Sequence, residues 1–223
     1  MDYVFQFGEV FASADELLRG AWLTIQLSAI AMGLGLVVAI GGALGKTMGP
    51  RPVRWLVDVY VELIRNTPFL VQIFIVFFGL PSAGLRLSAN QAALIAMVVN
   101  VGAYATEIVR AGIETIHKGQ IEAGLALGLR PLQVFRYVVL FPAIKTIYPA
   151  LTSQFTLLML SSSVVSAISA EELTAIANNI QSRTFRSFEI YLIVTAMYLA
   201  MSLMFSAAFA GIYRAVFAAS DRR

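Results

Sequence analysis

The sequence predicts an all-α membrane protein with five transmembrane helices, on three observations. The 223 residues are 59% hydrophobic and only 13% charged, more apolar surface than a water-surrounded domain of this size can bury. Apolar runs long enough to cross about 30 Å of hydrocarbon recur along the chain. The basic residues gather in short segments beside those runs, where they report topology.

The same composition excludes other classes. There is no cysteine, so neither a disulfide framework nor a thiolate metal site is available. His117 is the one histidine; alone it cannot build a zinc site or a Ser-His-Asp triad. No metal ligand and no catalytic residue is expected. The net charge of +3 comes from loop residues, so no nucleic acid is expected as a partner.

The elements follow in order. Met1-Asp2-Tyr3-Val4 lacks the positive n-region of a signal peptide, so the first apolar run is expected to stay as a span. Residues 1–18 read as an amphipathic lead-in on the outer membrane surface. The first span, 21–45, holds no charge and opens on Trp22. Gly41 and Gly45 near its end have the small-xxx-small spacing of close helix contacts, or fall there by chance in a glycine-rich run. The second run, 53–80, is broken by Asn66-Thr67-Pro68. The third, 90–113, carries Glu107 and Arg110. The fourth, 144–168, contains Pro149 and a hydroxyl run at Ser161, Ser162 and Ser163. The fifth covers 188–213, leaving 214–223 as a tail. In the 169–187 loop, Leu173, Ile176, Ala177 and Ile180 share one face of an amphipathic surface helix.

Charge sets the direction. The 46–54 loop has Lys46, Arg51 and Arg54 and no acid; the 114–137 loop has Lys118, Arg130 and Arg136; the tail has Arg214, Arg222 and Arg223. Five spans put all three on one side, which the positive-inside rule makes cytoplasmic. The N-terminus, rich in acids, then lies outside and the C-terminus inside.

Gly45-Lys46-Thr47 is not a P-loop. The leading glycine of G-x-x-x-x-G-K-[ST] would fall at residue 40, which is Ile40, and a core strand should precede it. Lys46 reads as a cytoplasmic anchor. A charge at the bilayer centre costs roughly 2.5–3.5 kcal/mol on insertion scales, so charged residues inside spans face the bundle interior or water. Asp58, Glu62 and Arg65 share one face of the second run, continued by Gln72; Asn100, Tyr104, Glu107 and Glu114 share a face of the third. Two readings are open: a polar solute path, or structural pairs such as Glu62 with Arg65 and Glu107 with Arg110. Asp58 and Glu62 are read as structural, and Gln72, Asn100 and Glu107 as path residues. Ser161, Ser162 and Ser163 fit helix packing, with hydroxyls on carbonyls four residues back, or a solute path.

The 117–131 segment is the sharpest signal. Ile121, Leu125 and Leu129 form a stripe on a short helix. Ala123, Gly124 and Ala126 are small enough to let another body approach the backbone. Gly128 suits a left-handed helix end, and Pro131 the first turn of the next helix. The product is a compact helix-turn-helix with too little apolar area to form a core, so it needs a groove to sit in.

Glu122-Ala123-Gly124-Leu125-Ala126-Leu127-Gly128 resembles the E-A-A-x-x-x-G coupling motif of binding-protein-dependent ABC permeases. Gly20-Ala21-Trp22-Leu23-Thr24-Ile25-Gln26-Leu27, Ile64-Arg65-Asn66-Thr67-Pro68-Phe69-Leu70-Val71-Gln72 and Tyr104-Ala105-Thr106-Glu107-Ile108-Val109-Arg110-Ala111-Gly112-Ile113 resemble the polar amino-acid uptake branch of that family. The resemblance spans about residues 19–213. Three departures stand out: Gly124 replaces the usual alanine, Leu140-Phe141-Pro142 has one residue more than the family's Leu-Pro pair, and Met159-Leu160 stand where a lysine is common.

The resemblance implies the type I ABC importer permease fold with a cytoplasmic coupling helix, in the bacterial cytoplasmic membrane. It implies that Gly119, Glu122, Ala123, Gly124, Leu125 and Gly128 dock an ATPase. Arg65, Thr67, Gln72, Asn100, Tyr104, Glu107, Ser161, Ser162 and Ser163 are the candidate path. The implied partners are a dimer of ATP-binding subunits, a second permease subunit (identical or homologous), a periplasmic or lipid-anchored amino-acid-binding protein, and the lipid bilayer. No cofactor is expected in this chain; ATP and Mg belong to the partner ATPase. The rivals are an ion-gradient-driven secondary transporter of a small polar solute, which would usually show more spans and an internal repeat, and a membrane-embedded enzyme, which lacks a catalytic constellation.

Overall fold

A computed structural model describes residues 4–217. Residues 1–3 of the expected lead-in and Arg222 and Arg223 of the expected tail lie outside the described residues. The described residues are helical throughout their regular structure, with no strand among them.

Helix α1 (Gly8–Ala12) leads into α2 (Ala14–Met48). At about 1.5 Å per residue, the 35 residues of α2 make roughly 50 Å, so its ends reach beyond the hydrocarbon on both sides. The boundary expected at residue 18 falls inside this helix. α2 lies along α6 (Ala89–Glu114) in the most extensive contact of the fold. α6 starts on a capping box: Ser88 and Gln91 each accept the other's backbone N–H.

Small residues allow that contact. A methyl group at Gly35 would overlap Val101, and one at Gly42 would lie 2.6 Å from the Thr106 hydroxyl. The expected pair is different. Gly41 has nothing within 4 Å, and Gly45 faces Val53 and Val57. In a glycine-rich run the helical period, rather than composition, decides which positions face inward.

The second run is α3 (Arg51–Arg65), α4 (Phe69–Phe74), a π-helical stretch Ile75–Gly79, and α5 (Leu80–Ser82). The Phe69–Ser82 stretch departs from α3 by 111°. Four helical stretches can cross a membrane alone, and this bent pair is the fifth if it crosses. The contacts decide that it does. Gly35 meets Val101, Gly42 meets Thr106 and Lys46 meets Glu107, so α2 and α6 run parallel, and the chain between them must return across the bundle.

α7 (Lys118–Ala126) is followed by α8 (Pro131–Val134), a π-helical stretch Phe135–Leu140, α9 (Phe141–Ser161) and a 3₁₀ stretch Ser162–Ile168. These last four form one helical rod from Pro131 to Ile168, which contains the fourth span expected at 144–168 and extends it toward α7. The π stretch ends at Leu140, directly before Phe141-Pro142. A π turn takes one more residue than an α turn, so an added residue is absorbed locally. The missing N–H of Pro142 then falls where the ladder is already changing.

α10 (Leu173–Thr184) buries Leu173, Ala177 and Ile180, as its pattern predicts. α11 (Ser187–Phe217) closes the described chain. The core is concentrated at the α10 end, where Met97, Met159, Val165, Leu173, Ile180 and Ile190 are fully buried. The α7 end is looser and holds an apolar cavity of 250 Å³ between α2, α6 and α9.

Candidate functional site

A helix that ends at membrane depth leaves carbonyls with no water to accept from. The break after α3 lies level with Asn100, near the middle of α6, and the sequence around it supplies the missing donors. The Glu62 carbonyl accepts from Asn66 N–H at 3.1 Å and Asn66 Nδ2 at 2.8 Å. The Leu63 carbonyl accepts from the Thr67 hydroxyl at 2.8 Å, and the Ile64 carbonyl from Gln72 Nε2 at 2.7 Å. Gln72, 6% exposed, also donates to the Thr67 carbonyl at 3.1 Å and to its hydroxyl at 3.0 Å. Its Oε1 accepts from Asn100 Nδ2 at 2.9 Å. Thr67, Gln72 and Asn100 thus form a clamp on a broken helix. The Arg65 guanidinium stacks over Tyr104, 5.5 Å from the ring centre.

At the α7 end, Lys46 Nζ lies 2.8 Å from Asp58 and 2.5 Å from Glu107. Arg110 holds the other Glu107 oxygen at 2.9–3.0 Å and reaches Glu114 at 2.5 Å. Both oxygens of Glu107 are paired with cations, as the structural reading expects, and Asp58 shares Lys46 with it. The expected Glu107–Arg110 pair is present. Glu62 instead accepts from Asn66 at 3.3 Å. Lys46 is no simple anchor, because it turns into the cluster. Sequence alone could not find that partnership, since Asp58 and Glu107 come from two other helices.

Among the serines, Ser162 donates to the Met159 carbonyl at 2.6 Å and Ser163 to the Leu160 carbonyl at 2.9 Å. The step is three residues rather than the expected four, because the local helix is 3₁₀. Ser162 is buried, and Ser161 and Ser163 are half-buried.

α7 ends in a Schellman motif. Leu129 N–H reaches the Gly124 carbonyl at 3.2 Å and Gly128 N–H the Leu125 carbonyl at 2.9 Å, with Gly128 at φ +79°. Pro131 opens α8. Gly119, Glu122, Ala123, Leu125 and Gly128 are exposed, and Leu127 is 83% exposed. Gly124 differs: it is buried, and a methyl there would lie 3.1 Å from Val134. Its small size serves the chain's own helix-turn-helix, leaving the outer face to its neighbours.

The sequence reading missed a groove of 530 Å³ between α9 and α11, lined by Tyr148, Thr152, Ser153, Thr156, Ser206 and Arg214 among others. The Tyr148, Thr152, Thr156 spacing was the available signal. It was hidden because each of these residues alone reads as ordinary in a span.

The family model for the inner membrane component of binding-protein-dependent transport systems matches residues 31–218. The chain belongs to this family. Among relatives of this transport component, the glutamine transport system permease protein GlnP of Escherichia coli (strain K12) is 34% identical over 91% of this chain and 93% of its own length. The L-cystine transport system permease protein TcyB of Bacillus subtilis (strain 168) is 38% identical over 75% of this chain and 71% of its own length. A chain from the crystal structure of an amino acid ABC transporter with histidines superposes with a TM-score of 0.87 at 35% identity, over 95% of this chain and 99% of that one. A chain of the MetNI methionine ABC transporter in an inward-facing conformation shares the fold at 22% identity, with a TM-score of 0.76 over 92% of this chain and 98% of that one. As a component of this family, the chain is a multi-pass permease of the inner membrane.

Proposed function

We propose that this permease subunit of an amino-acid ABC importer forms half of the translocation path and is driven through α7 by an ATP-binding partner. The observation that carries the reading is the exposed helix-turn-helix at 118–134. Its Schellman end gives it one defined shape, and among the described residues Leu125 stays 45% and Leu127 83% exposed. A docking element needs both properties. Amino-acid cargo is supported by the relatives named above, two of which carry glutamine and cystine by name. ATP and Mg are held by the partner, a second permease subunit completes the path, and an exported binding protein delivers the solute.

The α9–α11 groove forms this chain's wall of the path, with the Ser153 and Ser206 hydroxyls toward a polar solute and those of Thr152 and Thr156, which donate to backbone carbonyls, left to accept from it. Gln72 and Asn100 have their polar groups committed to the helix break, where they hold the bend of the second span. Closure of the ATPase pair draws two α7 helices together and rocks the bundles between two stable arrangements.

The test is uptake of labelled glutamine and cystine by proteoliposomes holding the whole complex and its binding protein. Uptake should stop when internal ATP is removed and continue in the presence of an uncoupler. Uptake that ignores ATP and collapses with the uncoupler would establish an ion-driven transporter instead.

A further inference from the structure

We propose that Lys46 is a positioning residue that ties α3 to α6, so that both follow the coupling segment as one body during the transport cycle. This rests on the reading of α7 as the docking element. The Lys46 ammonium bridges two carboxylates on different helices, Asp58 of α3 at 2.8 Å and Glu107 of α6 at 2.5 Å. Arg110 continues the chain of charges from Glu107 to Glu114. Glu114 is the last residue of α6, and α7 begins at Lys118. A displacement of α7 therefore reaches the near end of α3 through alternating charges, beyond the Tyr60 hydroxyl that donates to the Val99 carbonyl of α6 at 2.7 Å.

The surroundings fix the ammonium in place. One turn before it, Gly42 lies against Thr106, and Gly45 lies against Val53 and Val57, so α2 is held close to α6 and to α3. The lysine side chain is mostly buried, at 21% exposure, as is that of Glu107 at 18%. Between Lys46 and Glu107 Coulomb attraction is stronger than between solvated charges, while Asp58, 49% exposed, is partly screened by solvent. Removing Lys46 leaves two carboxylates facing each other with no bridge, and α3 loses its ionic link to α6. The clamp of Gln72 and Asn100 still holds the far end of α3 to α6, so the slack falls on the end nearest α7.

The experiment uses the complete complex in proteoliposomes and reads amino-acid uptake per ATP hydrolysed. Lys46→Met keeps the length of the stem and removes the charge. It should bind the ATPase normally, hydrolyse ATP at a rate near the wild-type rate, and import about tenfold less per ATP. Lys46→Arg should stay within about twofold of wild type. An unchanged ratio in Lys46→Met overturns the proposal, as does failure of Lys46→Arg to restore it. If Lys46→Met does not assemble, a triple variant that also carries Asp58→Asn and Glu107→Gln removes the repulsion. It should assemble and show the same loss. A triple variant with normal coupling, or one that also fails to assemble, overturns the proposal. Absence of ATP-driven uptake in the wild-type complex would instead count against the functional reading itself.

Discussion

Gln72 does more at one position than any other polar residue of the spans. Its amide caps the Ile64 and Thr67 carbonyls, and its own oxygen is satisfied by Asn100. An unpaired buried acceptor costs about 1–3 kcal/mol. Gln72→Leu should therefore lower the stability of the detergent-solubilised protein by about 2–4 kcal/mol. Asn100→Leu leaves one acceptor unpaired and should cost about half as much, both read by thermal unfolding. Glu172 is the comparable residue in the 169–187 loop. Fully buried, it accepts from Ala175 N–H at 2.7 Å and from the Tyr198 hydroxyl at 2.6 Å. Burial is the largest influence and pushes the carboxyl above its ordinary value of 4.5, against those hydrogen bonds. The sign follows from proton uptake. Above pH 4.5 the unfolded chain releases this proton while the folded chain keeps it, so stability is full below that value and falls as pH rises through the folded value. Thermal unfolding of the wild type should show this decline from acid towards neutral pH. Glu172→Gln, which cannot titrate, should flatten that part of the profile.

Elements depend on how each helix ends. Gly128 sits at φ +79°, where a β-branched side chain carries a strain of about 1–3 kcal/mol. Gly128→Val should therefore distort the end of α7 while the spans stay intact. The protein should still insert and purify, and markedly less ATPase should come with it. Normal recovery of the ATPase would remove α7 from the docking role. The local rules made this element legible from sequence, since the helix, its glycine end and the following proline lie within 15 residues. The same holds for the break at Asn66-Thr67-Pro68 and for the buried face of α10. The unbroken run of the helix from Pro131 into the fourth span was not legible. An apolar pattern cannot register a π turn, which shifts the phase of the helix without changing its composition. The clamp was half legible: Gln72 and Asn100 stood out as polar residues in spans, but Gln72 donates to backbone carbonyls, which a sequence does not display, and Asn100 pairs with Gln72 across two helices. Gly35 and Gly42 were hidden for a different reason. Only the position of α6 shows which side of α2 is crowded.

At the scale of the whole molecule, the number of crossings decides which side of the membrane every later helix faces. If the bent pair α3–α5 turned back without crossing, the chain would enter α6 on the side where it left α2. The two helices would then be antiparallel. They are parallel, as the contacts of Gly35 with Val101 and Gly42 with Thr106 require. Five crossings follow, and they place α7, the 46–54 loop and Arg214 at one end and α10 at the other. The positive-inside rule predicts that the end with Lys46, Arg51, Arg54, Lys118 and Arg130 faces the cytoplasm. The chain has no cysteine of its own, so single introduced cysteines report location without background. Leu85, between α5 and α6, is 59% exposed, and Leu127, after α7, is 83% exposed. In intact cells a membrane-impermeant thiol reagent should label Leu85→Cys and leave Leu127→Cys unlabelled until the cells are opened. A re-entrant pair would place residues 83–88 on the side of the 46–54 loop and expose Leu127→Cys to the outside reagent. That pattern would leave α7 unable to meet a cytoplasmic ATPase and would contradict both the crossing count and the drive through α7.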